Sequence, residues 1–226
     1  MNEAGVAIGN EAIYTTLDPR SAPPALTGMD LVRLGLERAD AAAGAVSVIT
    51  DLLERFGQGG TGHDPSGHGG AKAYWSSFIV ADPSSAFVVE TSGRTWAVEA
   101  VADVRAISNR TTIGSFDAEH RHPRQPVELL VDPRLAASQA VLARRPVSID
   151  AVLAHLRSHD SCASPGWSVC MHGVDDTGAV VEATTASMVA ELPVSGVPTA
   201  WVVQGSPCGY DYRATAVRAP GSLRRP

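Results

Sequence analysis

Lysine is almost missing from this chain. Lys72 stands alone, and the other seventeen cations are arginines. Lysine and arginine together number 18 against 24 acidic residues, for a net charge of −6. A mildly acidic protein lacks the basic footprint that nucleic acid or an anionic membrane surface requires. Cysteine is scarce and odd in number: Cys162, Cys170 and Cys208, with no CxxC pair. That count argues against a disulfide framework and for a reducing compartment. No basic segment followed by an apolar one opens the chain, so no signal peptide is read. No apolar run approaches the length of a membrane span. A cytoplasmic protein is expected, with no cofactor, no metal and no nucleic-acid or membrane partner.

What is present is ordinary globular material. The 226 residues are 44% hydrophobic and 19% charged, enough to bury a core. Residues 5–15, GVAIGNEAIYT, read as a strand, a break at Gly9-Asn10, and more strand. Pro19, Pro23 and Pro24 make residues 17–26 a loop. Thr27 is placed to cap a helix, with Asp30 in the capping-box position. A second helix is expected from about Ala41 to Phe56. Its Ala45, Val48, Ile49, Leu52 and Phe56 fall on one face. A glycine-rich loop, residues 57–70, follows. Then YWSSFIVAD, AFVVETSG, RTWAVEAV and VRAISNRTT read as four runs of an antiparallel meander. Helices are predicted at about 133–144 and from Ser148, with Val152, Leu153 and Leu156 inward. WSVCMHGV, AVVEATTASMVAEL and TAWVVQG are β again. The residues from about 213 read as a frayed tail. Strands in meanders and helices in pairs give an α+β fold of antiparallel sheets, not a parallel one.

Three groups of residues carry candidate chemistry. His63, Asp64 and His68 offer metal ligands, but their glycine surroundings give no rigid second shell. Cys170 and His172 share one face of a β-run, the ingredients of a thiolate–imidazole pair. A buried cysteine acting as a small hydrophobe is the commoner case. Asn10 and Asn109 each follow a small residue at an expected strand break. A side-chain amide there is a neutral donor suited to a developing oxyanion, although asparagine is also an ordinary turn residue.

GVAIGNEAIYT, GMDLVRLGLERA, AVSVITDLLERFGQGG, SSFIVADPSSAFVVETSGRTWAVE, VRAISNRTTIG and SVCMHG…ATTASMVAEL, in that order, resemble the secernin/peptidase C69 group. That group includes bacterial dipeptidases of the N-terminal-nucleophile hydrolase superfamily. The resemblance spans residues 2–210. It implies a four-layer αββα sandwich and a dipeptidase or amide hydrolase acting on a small peptide or amide. It also implies an N-terminal cysteine nucleophile with its own α-amino group as base. Asn10 in AIGNEA and Asn109 in AISNRT look like the active-site asparagines of related acylase-type enzymes. The departure is the nucleophile. No cysteine precedes Cys162, and the hairpin that bears it in the family is expected upstream of Asn2. On this reading residues 1–212 are one domain, incomplete at its N-terminus, and residues 213–226 a disordered tail. An edge left open by a missing hairpin favours self-association. The alternative is a non-catalytic, degenerate member or gene fragment serving as a binding or structural module. A metal hydrolase built on His63, Asp64 and His68 ranks below both.

Overall fold

The computed structural model describes residues 1–62, 72–160 and 164–218. The chain falls into two compact units: residues 1–103 with 107–125, and residues 104–106 with 126–226. Both are mixed α+β with antiparallel sheets.

In the first unit, β1 (Ala7–Ile13), β2 (Trp75–Ala81), β3 (Ala86–Ser92) and β4 (Thr95–Ala100) form one antiparallel sheet in the order β1-β2-β3-β4. β1 does not break at Gly9-Asn10. Gly9 pairs with Ile79 and Asn10 with Phe78, within a ladder that runs unbroken from Ala7 to Ile13. Seven consecutive cross-strand partners outweigh the local turn preference of the Gly-Asn pair.

Two helices, α1 (Gly28–Arg38) and α2 (Ala42–Phe56), cover one face. The Thr27 hydroxyl accepts from the Asp30 amide, and the Asp30 carboxylate accepts from the Thr27 amide, so the expected capping box closes. Gly35 brings α1 close to the sheet: a Cβ there would lie 2.9 Å from Ile8 Cδ1. Ala45, Ile49 and Leu52 face inward as their spacing predicts, joined by Ala42 and Leu53. Phe56 does not; it is 56% exposed. With Val6, Ile8, Leu31, Phe78, Val80 and Val89 these side chains make the main core. Each fully buried aliphatic side chain contributes roughly 1.5–3 kcal/mol.

α2 has no cap of its own, because Ala41 at its N-cap offers no side-chain oxygen. Asp82, in the turn after β2, supplies one: its Oδ2 accepts from the Ala42 amide at 2.7 Å. At the far end of α1, Asn2 Nδ2 donates to the Leu36 and Ala39 carbonyls at 2.9 and 2.8 Å.

The run VRAISNRTT is not a fourth meander strand; only an isolated Ser108–Arg110 bridge marks it. The fourth strand of the sheet is β1. The end of this run, at Thr112 and Ile113, meets a side chain instead. Glu90, fully buried on β3, accepts from Thr112 N and Thr112 Oγ1 at 2.7 Å and from Ile113 N at 3.1 Å. That carboxylate leads the chain into α3 (Gly114–His120), whose Phe116 packs with Ile113 and Val88.

In the second unit, α4 (Val127–Leu130), α5 (Asp132–Leu142) and α6 (Ile149–Leu156) precede the strands. Ser148 caps α6, its hydroxyl accepting from Ala151 N at 3.1 Å. β5 (His172–Val174) and β6 (Val180–Ala183) form a hairpin. At its turn Asp175 Oδ1 accepts from the Thr177 and Ala179 amides. β7 (Ala186–Glu191), β8 (Thr199–Gln204) and β9 (Arg213–Ala216) form a second sheet. WSVCMHGV is thus strand only in its last three residues. AVVEATTASMVAEL divides at Thr184-Thr185, where Thr184 exchanges hydrogen bonds with the Met171 backbone rather than continuing the strand. The expected tail begins as structure: Arg213–Ala216 pairs with Thr199–Val202 of β8. Among the described residues no helix is long and apolar enough to cross a membrane.

Candidate functional site

The first unit contains a cavity of about 300 Å³ lined by Asn10, Ala12, Tyr14, Met29, Gly62, Lys72 and Tyr74. Strand alternation explains two of those seven residues. Ile8 points into the core beneath α1 and α2, so Asn10 and Ala12 project from the same face of β1. The apolar floor ends at Ile8, and the two positions beyond it open into the cavity.

Asn10 is positioned by a close approach of helix and sheet. A Cβ on Gly28 would lie 2.8 Å from Asn10 Nδ2 and closer still to Ser76 Oγ. Only glycine at the first position of α1 leaves room for both polar groups. Ser76 is held by buried neighbours. Gln58 Nε2 donates to Ser76 Oγ at 2.9 Å and to the Tyr74 carbonyl at 3.1 Å. Thr91 Oγ1 donates to Gln58 Oε1 at 2.8 Å and accepts from the Ser76 amide at 2.9 Å. A fully satisfied buried network of this kind is rigid.

Two tyrosines and the lysine complete the wall. Lys72 Nζ lies 4.8 Å from the Tyr14 ring centroid, within cation–π range. Burial pushes the Tyr74 phenol above its ordinary value, against the Gly28 and Met29 amides and the Thr27 hydroxyl, which pull it down. At neutral pH Tyr74 is therefore a neutral hydroxyl beside the N-terminus of α1. The cavity combines one cation, one primary amide and two phenols on a partly apolar floor, a composition suited to a small polar ligand with an anionic end.

Asn109 is placed differently from Asn10. Its Nδ2 donates to Glu11 Oε2 at 3.2 Å and to the Ala12 carbonyl at 3.0 Å. Glu11 alternates with Asn10, so its side chain leaves the opposite face of β1. Gln125 Nε2 in turn donates to the Asn109 carbonyl. The two asparagines thus meet the same strand, with Asn10 lining the cavity and Asn109 engaged with the β1 backbone and Glu11.

His63, Asp64 and His68 lie outside the described residues, as does Cys162. Cys170 and His172 do meet: Cys170 Sγ is 3.6 Å from His172 Nε2. Cys170 is fully buried, and burial pushes its thiol above the usual range, with Cys208 beside it. That is the reverse of an activated nucleophile, which needs access and a lowered pKa. His172 Nε2 also lies 3.3 Å from Cys208 Sγ.

Lys72, Tyr14, Tyr74 and the Gln58 network carry no sequence motif. Only the pairing of β1 with β2 and the seating of Gly28 bring them beside Asn10. The one available hint was Gly28 itself, a glycine at the opening of an otherwise strong helix. Cys208 and His159 join Cys170 and His172 across gaps that spacing does not reveal. No protein-family model matches the chain.

Proposed function

We propose that the first unit carries the substrate-holding part of an amide hydrolase of the secernin/peptidase C69 kind, acting on dipeptides or similarly small amides. The observation that carries this reading is the convergence of the Asn10 amide and the chain's single lysine on one cavity of about 300 Å³. Lys72 would pair with the substrate carboxylate, while Tyr14 and Tyr74 flank the chain of the substrate. Asn10 Nδ2 would donate to the oxygen of the attacked carbonyl as it gains charge. Asn109 holds β1, and therefore Asn10, in register. The nucleophile this reading requires is a cysteine outside residues 1–161. In the family this reading resembles, the nucleophile is an N-terminal cysteine whose thiol and α-amino group act together.

The four-layer αββα arrangement belongs to the same proposal, with the β1–β4 sheet and its helices α1 and α2 as one αβ half. So does a cytoplasmic location. The test is a dipeptidase assay on protein extended by the in-frame upstream codons. Turnover is expected there, with kcat falling about 100- to 1000-fold in Asn10→Ala, the range for loss of one oxyanion donor. A stop codon directly upstream, or an extended chain without turnover, would refute it.

A second reading is favoured by the described cysteines, Cys170 and Cys208, both lying in the second unit while the cavity lies in the first: the cavity binds a small peptide without cleaving it. Binding with no turnover in the extended protein would select this reading.

A further inference from the structure

Four side chains of the second unit converge on one point without any part in the proposed hydrolysis. His159, Cys170, His172 and Cys208 each present a ligand atom, and these atoms all lie within 4.8 Å of one another. Cys170 Sγ and His172 Nε2 are 3.6 Å apart, and His172 Nε2 and Cys208 Sγ 3.3 Å. The His159 and His172 rings meet edge-on, with centroids 5.1 Å apart at 65°. Tetrahedral zinc, with sulfur at about 2.3 Å and nitrogen at about 2.0–2.1 Å, sets sulfur–nitrogen edges of about 3.5 Å. The two sulfur–nitrogen distances straddle that value.

We propose that the second unit binds one Zn²⁺ through Cys170 Sγ, His172 Nε2, Cys208 Sγ and a ring nitrogen of His159, as a closed structural site. Two thiolates with two imidazoles in a tetrahedron favour zinc among the common divalent ions. Four protein ligands leave no open position for a water, so the role is to hold segments together rather than to catalyse. Binding releases the two thiol protons to solvent.

The scaffold is already built around the ligands. His159 lies three residues beyond the end of α6, and the Ser158 carbonyl there accepts from the Cys170 amide at 3.0 Å. The His172 amide donates to the Gly166 carbonyl at 2.8 Å. Gly166 has φ +74°, and a Cβ on it would collide with the His172 carbonyl. Cys208 sits in the turn after β8, anchored by Ser206 Oγ donating to the Thr184 carbonyl at 2.8 Å. Cys170 is buried and Cys208 exposed, which gives the ion a route in.

A second observation explains why such a staple belongs here. Among the described residues, the two clusters of buried apolar side chains lie in the first unit, and the second buries only scattered ones such as Val127, Val131 and Val203. In the second unit, large apolar side chains such as Val180, Val181, Met188 and Val194 stand exposed, Val194 at 89%. Units that bury little apolar surface commonly use a metal in place of a core.

The experiment is a Co²⁺ titration of the full chain after chelator treatment under reducing conditions. One equivalent should produce the intense visible bands of tetrahedral cobalt and a thiolate charge-transfer band in the near ultraviolet. One equivalent of Zn²⁺ should abolish them. Cys208→Ser, at an exposed position, should keep its far-ultraviolet circular dichroism but weaken Zn²⁺ binding by about 100-fold or more. Zn²⁺ should raise Tm in the parent and not in this variant. Three results would overturn the proposal: no charge-transfer band, the same band in a Cys170→Ser/Cys208→Ser double variant, or a Cys170–Cys208 disulfide in protein prepared without reductant.

Discussion

Glu90 shows how much one side chain organises. It is fully buried, and its two carboxylate oxygens accept from three donors of Thr112 and Ile113. Those bonds anchor the chain at Thr112 and Ile113 and set the approach to α3. Removing the carboxylate leaves buried donors unpaired, at about 1–3 kcal/mol for each such group. Glu90→Ala is expected to lower unfolding free energy by about 3 kcal/mol or more in urea titration, and Glu90→Gln by less. Equal stability of Glu90→Ala and parent would refute the role. Asn109 lies three residues before Thr112, so its grip on β1 depends on the same anchor. Isolated polar residues of this kind are where sequence reading falls short. Glu90 sits in AFVVETSG as an ordinary strand residue, and nothing local announces that it is buried and satisfied from another segment.

At the scale of elements, α2 depends on a cap from the sheet. Asp82 reaches Ala42 N and also accepts from the Ser84 and Ser85 amides. Burial opposes ionisation, but these hydrogen bonds more than offset it and hold the carboxyl well below its ordinary value. A depressed folded-state pKa contributes stability above the unfolded value, near 3.8, which is lost as pH falls below it. Parent protein should therefore lose stability between about pH 4 and pH 2 more steeply than Asp82→Asn, measured as urea midpoints at fixed ionic strength. Superimposable profiles would contradict this. The elements most legible in the sequence were those with a local signature: α1 through Thr27 and Asp30, α2 through its apolar spacing, and α6 through Ser148. Those that were misread depend on distant partners. β1 runs through Gly9-Asn10 because β2 pairs with it, and β9 forms because β8 offers an edge. The chain end of residues 104–112 is held by Glu90, which takes donors of Thr112 and of Ile113 beyond it. At the site, the amide of Asn10 was legible as a candidate. Its companions Lys72, Tyr14 and Tyr74 were not, since they are brought beside it by strand pairing alone.

The molecule as a whole divides its means of stability. The first unit has a layered apolar core of sheet and helices and places a polar cavity where that core ends. The second has short strands and helices, exposed valines beside a few buried ones such as Val127, Val131 and Val203, and the four-residue cluster proposed to hold zinc. Composition set useful outer bounds, since only one of the chain's 18 lysine and arginine side chains is a lysine. That rarity gives the account its sharpest test. Dipeptides with free and with amidated C-termini should be titrated by calorimetry into the parent protein and into Lys72→Gln, at pH 7 and low salt. The account predicts saturable binding of the free-carboxylate dipeptide. It also predicts about tenfold weaker binding to Lys72→Gln, and the same loss when the carboxylate is amidated, as expected for one charge-assisted contact of roughly 1.4 kcal/mol. No binding at millimolar dipeptide, or binding that ignores both Lys72 and the carboxylate, would contradict it.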